Sequence, residues 1–409
     1  MSPEFAERRG KWRKANTGGI LVLFGAKESE DLHYGFYQET NFLYLTGWSE
    51  PGAILVITPE PDKDEPGLQE RSRVPREILF LPQRVPAQEK WTGRKLGPSD
   101  TNAAEVTGFR TVMPAERFES ELRALLDLYP ATYGLPVDKS LLERLAPLRG
   151  VLDAAGPLAR LRMEKSEAEI SAIQHATDVS VEAHRAAWKM IRPGEYEYEI
   201  AAVMAGTYMM EGCRRGAYAP IVGSGPNSTT LHYSRNSRRM DSGEVAVMDV
   251  AAECADYASD ITRTLPVNGH FSARQREIYD IVLGAQRAAI AAVKPGMTLG
   301  RKTPDSLYKI AFDYIDHHGK DLHGASLGKY FVHGLSHHVG LDVHDASDTT
   351  TPLRAGMVIT IEPGIYIPEE NIGIRIEDVV LVTEKGGRVL SAALPTDPDE
   401  IERALAQRK

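Results

Sequence analysis

The sequence predicts an α+β protein of two domains: a small α/β domain over residues 1–155, then a larger, internally duplicated domain over residues 156–409. Three observations carry this prediction. The chain has 409 residues, more than one ordinary domain uses. Its first part alternates short apolar runs with helical spacing. Its second part repeats helix ends, strands and acids at nearly constant offsets. Composition narrows the class further. Hydrophobic residues make up 42% and charged residues 26%, which excludes disorder, collagen and coiled coil as the dominant architecture. Lysine plus arginine number 48 against 57 acids, for a net charge of −9. No long basic run is present, so nucleic acid is excluded as the principal partner. The apolar stretches are strand-sized, well short of the roughly 20 residues a membrane helix needs. Residues 1–13 are charged rather than signal-like, so no membrane partner is expected and the cytoplasm is the expected location. Only Cys213 and Cys254 are present, too few for a disulfide framework or a thiolate metal cluster, as expected of a reducing compartment.

In chain order, residues 20–24, 53–57 and 77–81 read as strands separated by Gly, Pro and charged clusters. Residues 60–76 read as a long exposed loop. Phe118, Leu122 and Leu125 space a helix before Pro130, and residues 141–145 a second short one. Ala154-Ala155-Gly156-Pro157 reads as the break between the domains. Ser166-Glu167-Ala168-Glu169 then has the form of a capping box opening a long helix. Ile170, Ile173, Val181, Trp188 and Ile191 keep its 3.6-residue period, and Pro193-Gly194 ends it.

The duplication is read from matched landmarks. Ile191-Arg192-Pro193-Gly194 recurs as Val293-Lys294-Pro295-Gly296, an offset of 102, after a second helix opened by Ser272-Ala273-Arg274-Gln275. Ser242-Gly243-Glu244-Val245 recurs as Ala355-Gly356-Met357-Val358, an offset of 113, and Asp249 to Glu362 repeats 113. Asp260 corresponds loosely to Glu377, at 117. If a pseudo-twofold axis relates the halves, these four acids meet at the centre.

Asp249 and Glu362 each continue a run that reads as a buried strand, where an unpaired charge costs several kcal/mol. Such acids either cap locally or bind cations. Four of them in a duplicated frame point to metal. Arg375, two residues before Glu377, lies on the same strand face and is expected as its salt-bridge partner. The run from His333 to Asp345 holds four of the 12 histidines, His333, His337, His338 and His344. Gly334 and Gly340 mark it as irregular backbone that presents side chains to a cavity. His338 alone reads as a structural residue. Four carboxylates with an imidazole form a hard donor set that favours Mn²⁺, with Co²⁺, Fe²⁺ and Zn²⁺ open, and four carboxylates suffice for two ions. A pair of divalent ions can lower the pKa of a shared water toward about 7, the machinery of hydrolysis.

These residues carry a resemblance. Met248-Asp249-Val250, Ser259-Asp260-Ile261-Thr262-Arg263-Thr264, His333-Gly334-Leu335-Ser336-His337, Glu362-Pro363-Gly364 and Gly373-Ile374-Arg375-Ile376-Glu377-Asp378 resemble aminopeptidase P, the Xaa-Pro aminopeptidases of the pita-bread metallopeptidases. Asn41-Phe42-Leu43-Tyr44-Leu45-Thr46-Gly47 and Glu50-Pro51-Gly52-Ala53 are similar to that family's N-terminal domain. The resemblance implies a pita-bread catalytic domain and two divalent ions. Asp249 would hold one, His337 and Glu362 the other, and Asp260 and Glu377 both. His232, His333 and His344 would line the site as hydrogen-bonding and proton-shuttling groups, and Arg375 would orient a bridging acid. Asp249-Val250-Ala251 departs from the family's Asp-x-Gly, harmless unless the turn needs positive φ. The implied activity is release of the N-terminal residue from peptides with proline second. Prolidase, which cuts Xaa-Pro dipeptides, shares both domains and all five ligands; Ser336 and the short connection from Glu362 to Glu377 favour aminopeptidase P. Metal-free binding modules and creatinase expect lost ligands, and methionine aminopeptidase leaves residues 1–155 unexplained. The resemblance also implies a dimer or tetramer, with Trp91 reaching a site across an interface; otherwise Trp91 anchors a loop on its own domain.

Overall fold

The computed structural model describes residues 2–29, 31, 35–60, 68–147, 150–348 and 350–407. They pack as two units, Met1–Arg162 and Met163–Lys409. In the first unit the three expected apolar runs are strands Ile20–Phe24, Ile54–Ile57 and Glu77–Leu81, paired antiparallel as the centre of a sheet. Val112–Pro114 extends one side, and Ala131–Gly134 and Gly150–Asp153 the other, all in parallel pairings. Helix Phe118–Leu126 buries Phe118, Leu122 and Leu125, and Lys139–Leu145 is the second short helix. The loop expected over residues 60–76 lies partly outside the described residues; Leu68–Arg71 within it is one helical turn. Trp91, in the turn Glu89–Thr92, is 80% exposed and so does not anchor that loop on its own domain.

Gly156-Pro157 does not break the chain. Both lie in the first turn of helix Ala155–Met163, where a proline loses no intrahelical hydrogen bond, and the division between units falls at its C-terminal end.

In the second unit Ser166 and Ser272 each form a complete capping box, opening helices Glu167–Met190 and Ala273–Ala292. The halves then repeat in detail. Gly194 and Gly296 have φ of +99° and +90°. Their amides donate to Met240 O and Leu353 O at 2.9 and 2.8 Å. Gly243 and Gly356, at +85° and +88°, turn the chain into strands Val245–Asp249 and Val358–Ile361. Val245–Asp249 pairs with Thr262–Pro266, Asp249 facing Thr262. Val358–Ile361 pairs with Asp378–Thr383, Ile361 facing Asp378. A bridge between Thr262 and Glu377 joins the two ladders. The duplicated frame therefore brings the ends of both acid-bearing strands together.

The cysteines depart from expectation. Cys213 and Cys254 form a disulfide, not free thiols. The ladder pairing Arg215 with Glu253 and Gly216 with Ala252 brings them side by side across 41 residues of sequence. Among the described residues, no helix is long and apolar enough to cross a membrane.

Candidate metal centre

Asp249 ends strand Val245–Asp249, all of whose residues are buried. Asp260 precedes Thr262–Pro266, Glu362 follows Val358–Ile361, and Glu377 stands between Ile372–Arg375 and Asp378–Thr383. Apolar strands thus carry four acids to one place, where all four line a cavity of about 520 Å³ with His337. The same cavity is lined by His232, His333, His344 and Arg375, and by the apolar Ile221, Leu231 and Val343. Every sequence-predicted site residue is among them. His338 is not: it is buried and bridges to Ile359, as its structural reading expects.

His337 Nδ1 lies 3.1 Å from His338 O and keeps a proton there, which leaves Nε2 as the nitrogen that faces the acids. That nitrogen stands 3.3 Å from Asp260 Oδ2 and 3.5 Å from Glu362 Oε1. Ligand atoms of Asp260, His337 and Glu377 all lie within 4.8 Å of one another, close enough to share one ion. Asp249 and Glu362 flank this group in the cavity. Ala251 has no positive φ, so its methyl is accommodated.

Electrostatics fit the same reading. Burial raises the Asp249 carboxyl, burial with the Asp260 and Glu362 charges raises Glu377 strongly, and burial brings Glu362 to about 7. For His337 burial opposes charge, but the Asp260 hydrogen bond and the Glu362 charge outweigh it and lift the ring to about 9. Buried acids that repel one another in this way are what a divalent cation relieves. The donor set, mostly carboxylate oxygen with one imidazole nitrogen, suits a hard ion.

Arg375 is not the partner expected for Glu377. Its Nη2 donates to Asp249 Oδ2 at 2.6 Å, in the other half of the duplication. The neighbouring Thr262 hydroxyl receives Arg375 Nε at 3.2 Å and donates to Glu377 Oε2 at 2.6 Å. Strand periodicity placed the two residues on one face correctly, but Asp249 lies nearer to the guanidinium. Arg375 Nη1 also donates to the Tyr366 hydroxyl at 2.8 Å, which reaches His333 Nε2 at 2.8 Å, while His333 Nδ1 faces Gly334 O at 2.7 Å. The donors run in one direction, and burial and the Arg375 charge hold His333 near 4 and neutral.

Four contributors were not read from the sequence. The Tyr218 hydroxyl lies 2.5 Å from both Asp249 Oδ1 and Asp260 Oδ1. Tyr366 links Arg375 to His333. Thr262 orients Glu377, and Thr360 donates to Glu362 at 3.2 Å. Thr262 and Thr360 lie on acid-bearing strands and were open to inference; Tyr218 had no local signal.

Residues 171–384 match the metallopeptidase family M24, and residues 5–132 match the N-terminal domain of aminopeptidase P. The Haemophilus influenzae Xaa-Pro aminopeptidase is 34% identical over 98% of this chain and 97% of its own length. The Escherichia coli Xaa-Pro aminopeptidase is 33% identical over 99% and 98%. The solved structure of Escherichia coli aminopeptidase P with the inhibitor Pro-Leu superimposes with a TM-score of 0.87 at 29% identity, covering 100% of this chain and 99% of that one. Proline aminopeptidase P II from Yersinia pestis gives 0.85 at 30% identity, over 99% and 100%.

Proposed function

Because the chain belongs to the metallopeptidase family M24 and carries the N-terminal domain of aminopeptidase P, we propose that it releases the N-terminal residue from peptides whose second residue is proline, using two divalent ions, with Mn²⁺ the preferred metal. The observation that carries this reading is the gathering of four strand-end acids in one cavity with His337, whose Nε2 lies 3.3 Å from Asp260 and 3.5 Å from Glu362. Asp249 would hold one ion, His337 and Glu362 the other, and Asp260 and Glu377 would contribute to both. When bound, the ions supply Lewis acidity and an activated nucleophile at neutral pH.

The chain's own groups do the rest. His333, held neutral, presents a fixed ring to the substrate, and His344, packed edge-on to His337 at 4.2 Å between ring centroids, and His232 line the approach. His344 and His232 are the pair placed to bind the substrate and pass a proton to the leaving amine, while the neutral His333 ring positions it. Arg375 balances Asp249 and, through Thr262, keeps Glu377 in register. The apolar wall of Ile221, Leu231 and Val343 suits the proline ring, whose imide offers an ordinary subsite no N–H.

The test is digestion of an Arg-Pro-Pro tripeptide and an Ala-Pro dipeptide side by side with Mn²⁺. Release of arginine with the dipeptide cut far more slowly is the expected result. Preference for the dipeptide makes the protein a prolidase, and no cleavage of either makes it a binding module. Asp260→Ala or Glu377→Ala should reduce bound metal and activity more than Asp249→Ala, since each bridging acid serves both ions.

A further inference from the structure

His232 faces the cavity, yet its ring makes no hydrogen bond of its own among the described residues. Its position is set by the backbone that carries it. That segment, residues 224–238, starts at the last residue of strand Ile221–Ser224, has one short 3₁₀ turn, Gly225–Thr229, and beyond Ser224 no strand or α-helix of its own. Asn236 ties it to Val222 N and Pro220 O, Ser228 to Gly373 N, and Arg375 to Leu231 O, but the largest set of its bonds goes to one carboxylate.

Glu197, in the first turn of helix Glu197–Met210, is fully buried. Its Oε1 accepts from Ser224 N and Ser224 Oγ, both at 2.8 Å, and from Asn227 Nδ2 at 3.1 Å. Its Oε2 accepts from the Tyr233 hydroxyl at 2.9 Å and from Arg238 N at 2.8 Å. The Glu197 amide returns a bond to Arg238 O at 3.0 Å. These donors come from the beginning, middle and end of the segment, and one belongs to the residue next to His232. A buried carboxylate is costly unless its oxygens are satisfied; here all of them are satisfied by the one segment that carries a cavity-lining histidine.

We propose that Glu197 is a positioning residue for the reaction: its carboxylate gathers residues 224–238 into the conformation that presents His232 to the substrate. The proposal rests on the reading of His232 as a substrate-facing group. Glu197→Gln keeps the size but turns an N–H₂ toward groups that are themselves donors, which leaves buried partners unpaired. The segment should loosen and His232 lose its aim, while the metal-binding acids, none of which shares a hydrogen bond with Glu197 and whose nearest strand, Val245–Asp249, is also held by Thr262–Pro266, stay in place.

The experiment is a double-mutant cycle on the Mn²⁺-loaded full chain with an Arg-Pro-Pro tripeptide, reading kcat, KM and bound metal for the wild type, E197Q, H232A and the double variant. The expected result is a kcat/KM loss for E197Q on the order of 10- to 100-fold, with unchanged metal content, and a double variant no worse than H232A alone. Losses that multiply in the double variant would show a merely structural role and overturn the proposal. So would an impaired H232A beside an unimpaired E197Q. Full activity in H232A would remove the reading of His232 and the proposal with it. If E197Q does not fold, Tyr233→Phe, which deletes one donor and keeps the ring, should give a smaller loss that is again absorbed by H232A. Independent losses for Y233F and H232A would be the contrary outcome.

Discussion

At Glu362 burial brings the carboxyl from 4.5 to about 7, which links the centre to pH. A group whose folded value lies above its unfolded value stabilises the fold below the unfolded value, and that contribution is lost as pH rises through the folded one. Glu362 therefore withdraws stability between 4.5 and about 7. Asp249 and Glu377 act in the same sense, and His337, raised from 6.5 to about 9, continues the loss at higher pH. His333, lowered from 6.5 to about 4, has the opposite sign, its contribution being lost as pH falls through about 4. His184 and His338, both lowered to about 3, act like His333, so the test is differential: relative to Glu362→Gln, the metal-stripped wild type should lose thermal midpoint between about pH 5 and about pH 8, and a wild type that gains on the variant over this range would contradict the charge assignment. Arg375→Lys keeps a charge but cannot reach Asp249, Thr262 and Tyr366 together, so kcat/KM should fall on the order of 10- to 100-fold. The acids and the histidines of 333–344 were legible because strand-end carboxylates and a histidine-dense glycine loop are local patterns, whereas His232 and the division of roles came from the family resemblance. Tyr218 was not, since it meets its two acids 31 and 42 residues away.

Among the elements, the hairpin from Ala252–Cys254 to Tyr257–Ala258 turns on Ala255 and Asp256, whose φ values are +50° and +67°. Two positive φ angles in a two-residue loop make the type I′ geometry that favours Asn-Gly. Asp256→Gly should therefore raise unfolding stability by about 1 kcal/mol in denaturant titration, and a loss would contradict the strain. Arg263 shows the reverse case. Fully buried, it pairs with Asp378 at 2.7 Å and donates to the carbonyls of Thr262 and Glu377. Arg263→Met should cost about 3–5 kcal/mol, because Asp378 is left as a buried charge without its cation. Both long helices were legible from their capping boxes. Helix Pro3–Ala15 was not, because its buried face consists of Arg8, Arg9, Trp12 and Arg13. Arg9 is satisfied by Glu77 at 2.7 Å and Leu45 O at 2.9 Å, and Arg13 Nε donates to Thr58 O at 2.9 Å, partners that an apolar-period search does not see. The disulfide escaped for a related reason, since only the strand register brings Cys213 to Cys254.

For the whole molecule, the duplication is the organising fact, and it was legible because helix caps, glycine turns and acids recur in the same order at offsets between 102 and 117. The loose match of Asp260 to Glu377 reflects unequal connections, a tight hairpin in one half and strands Gly364–Ile367 and Ile372–Arg375 in the other. The exposed Trp91 belongs to the proposal that chains assemble and share sites: light scattering should show an oligomer, and Trp91→Ala should raise KM for the tripeptide without changing bound metal. A monomer whose kinetics ignore that substitution would contradict the shared site. The claim on which the rest depends is that the two halves together hold a pair of ions. Anomalous diffraction at the manganese edge from crystals grown with Mn²⁺ tests it most directly. Two peaks per chain are expected, one touching Asp249 and the other His337 and Glu362, with Asp260 and Glu377 reaching both; peaks elsewhere, or none within reach of these five side chains, would contradict the account.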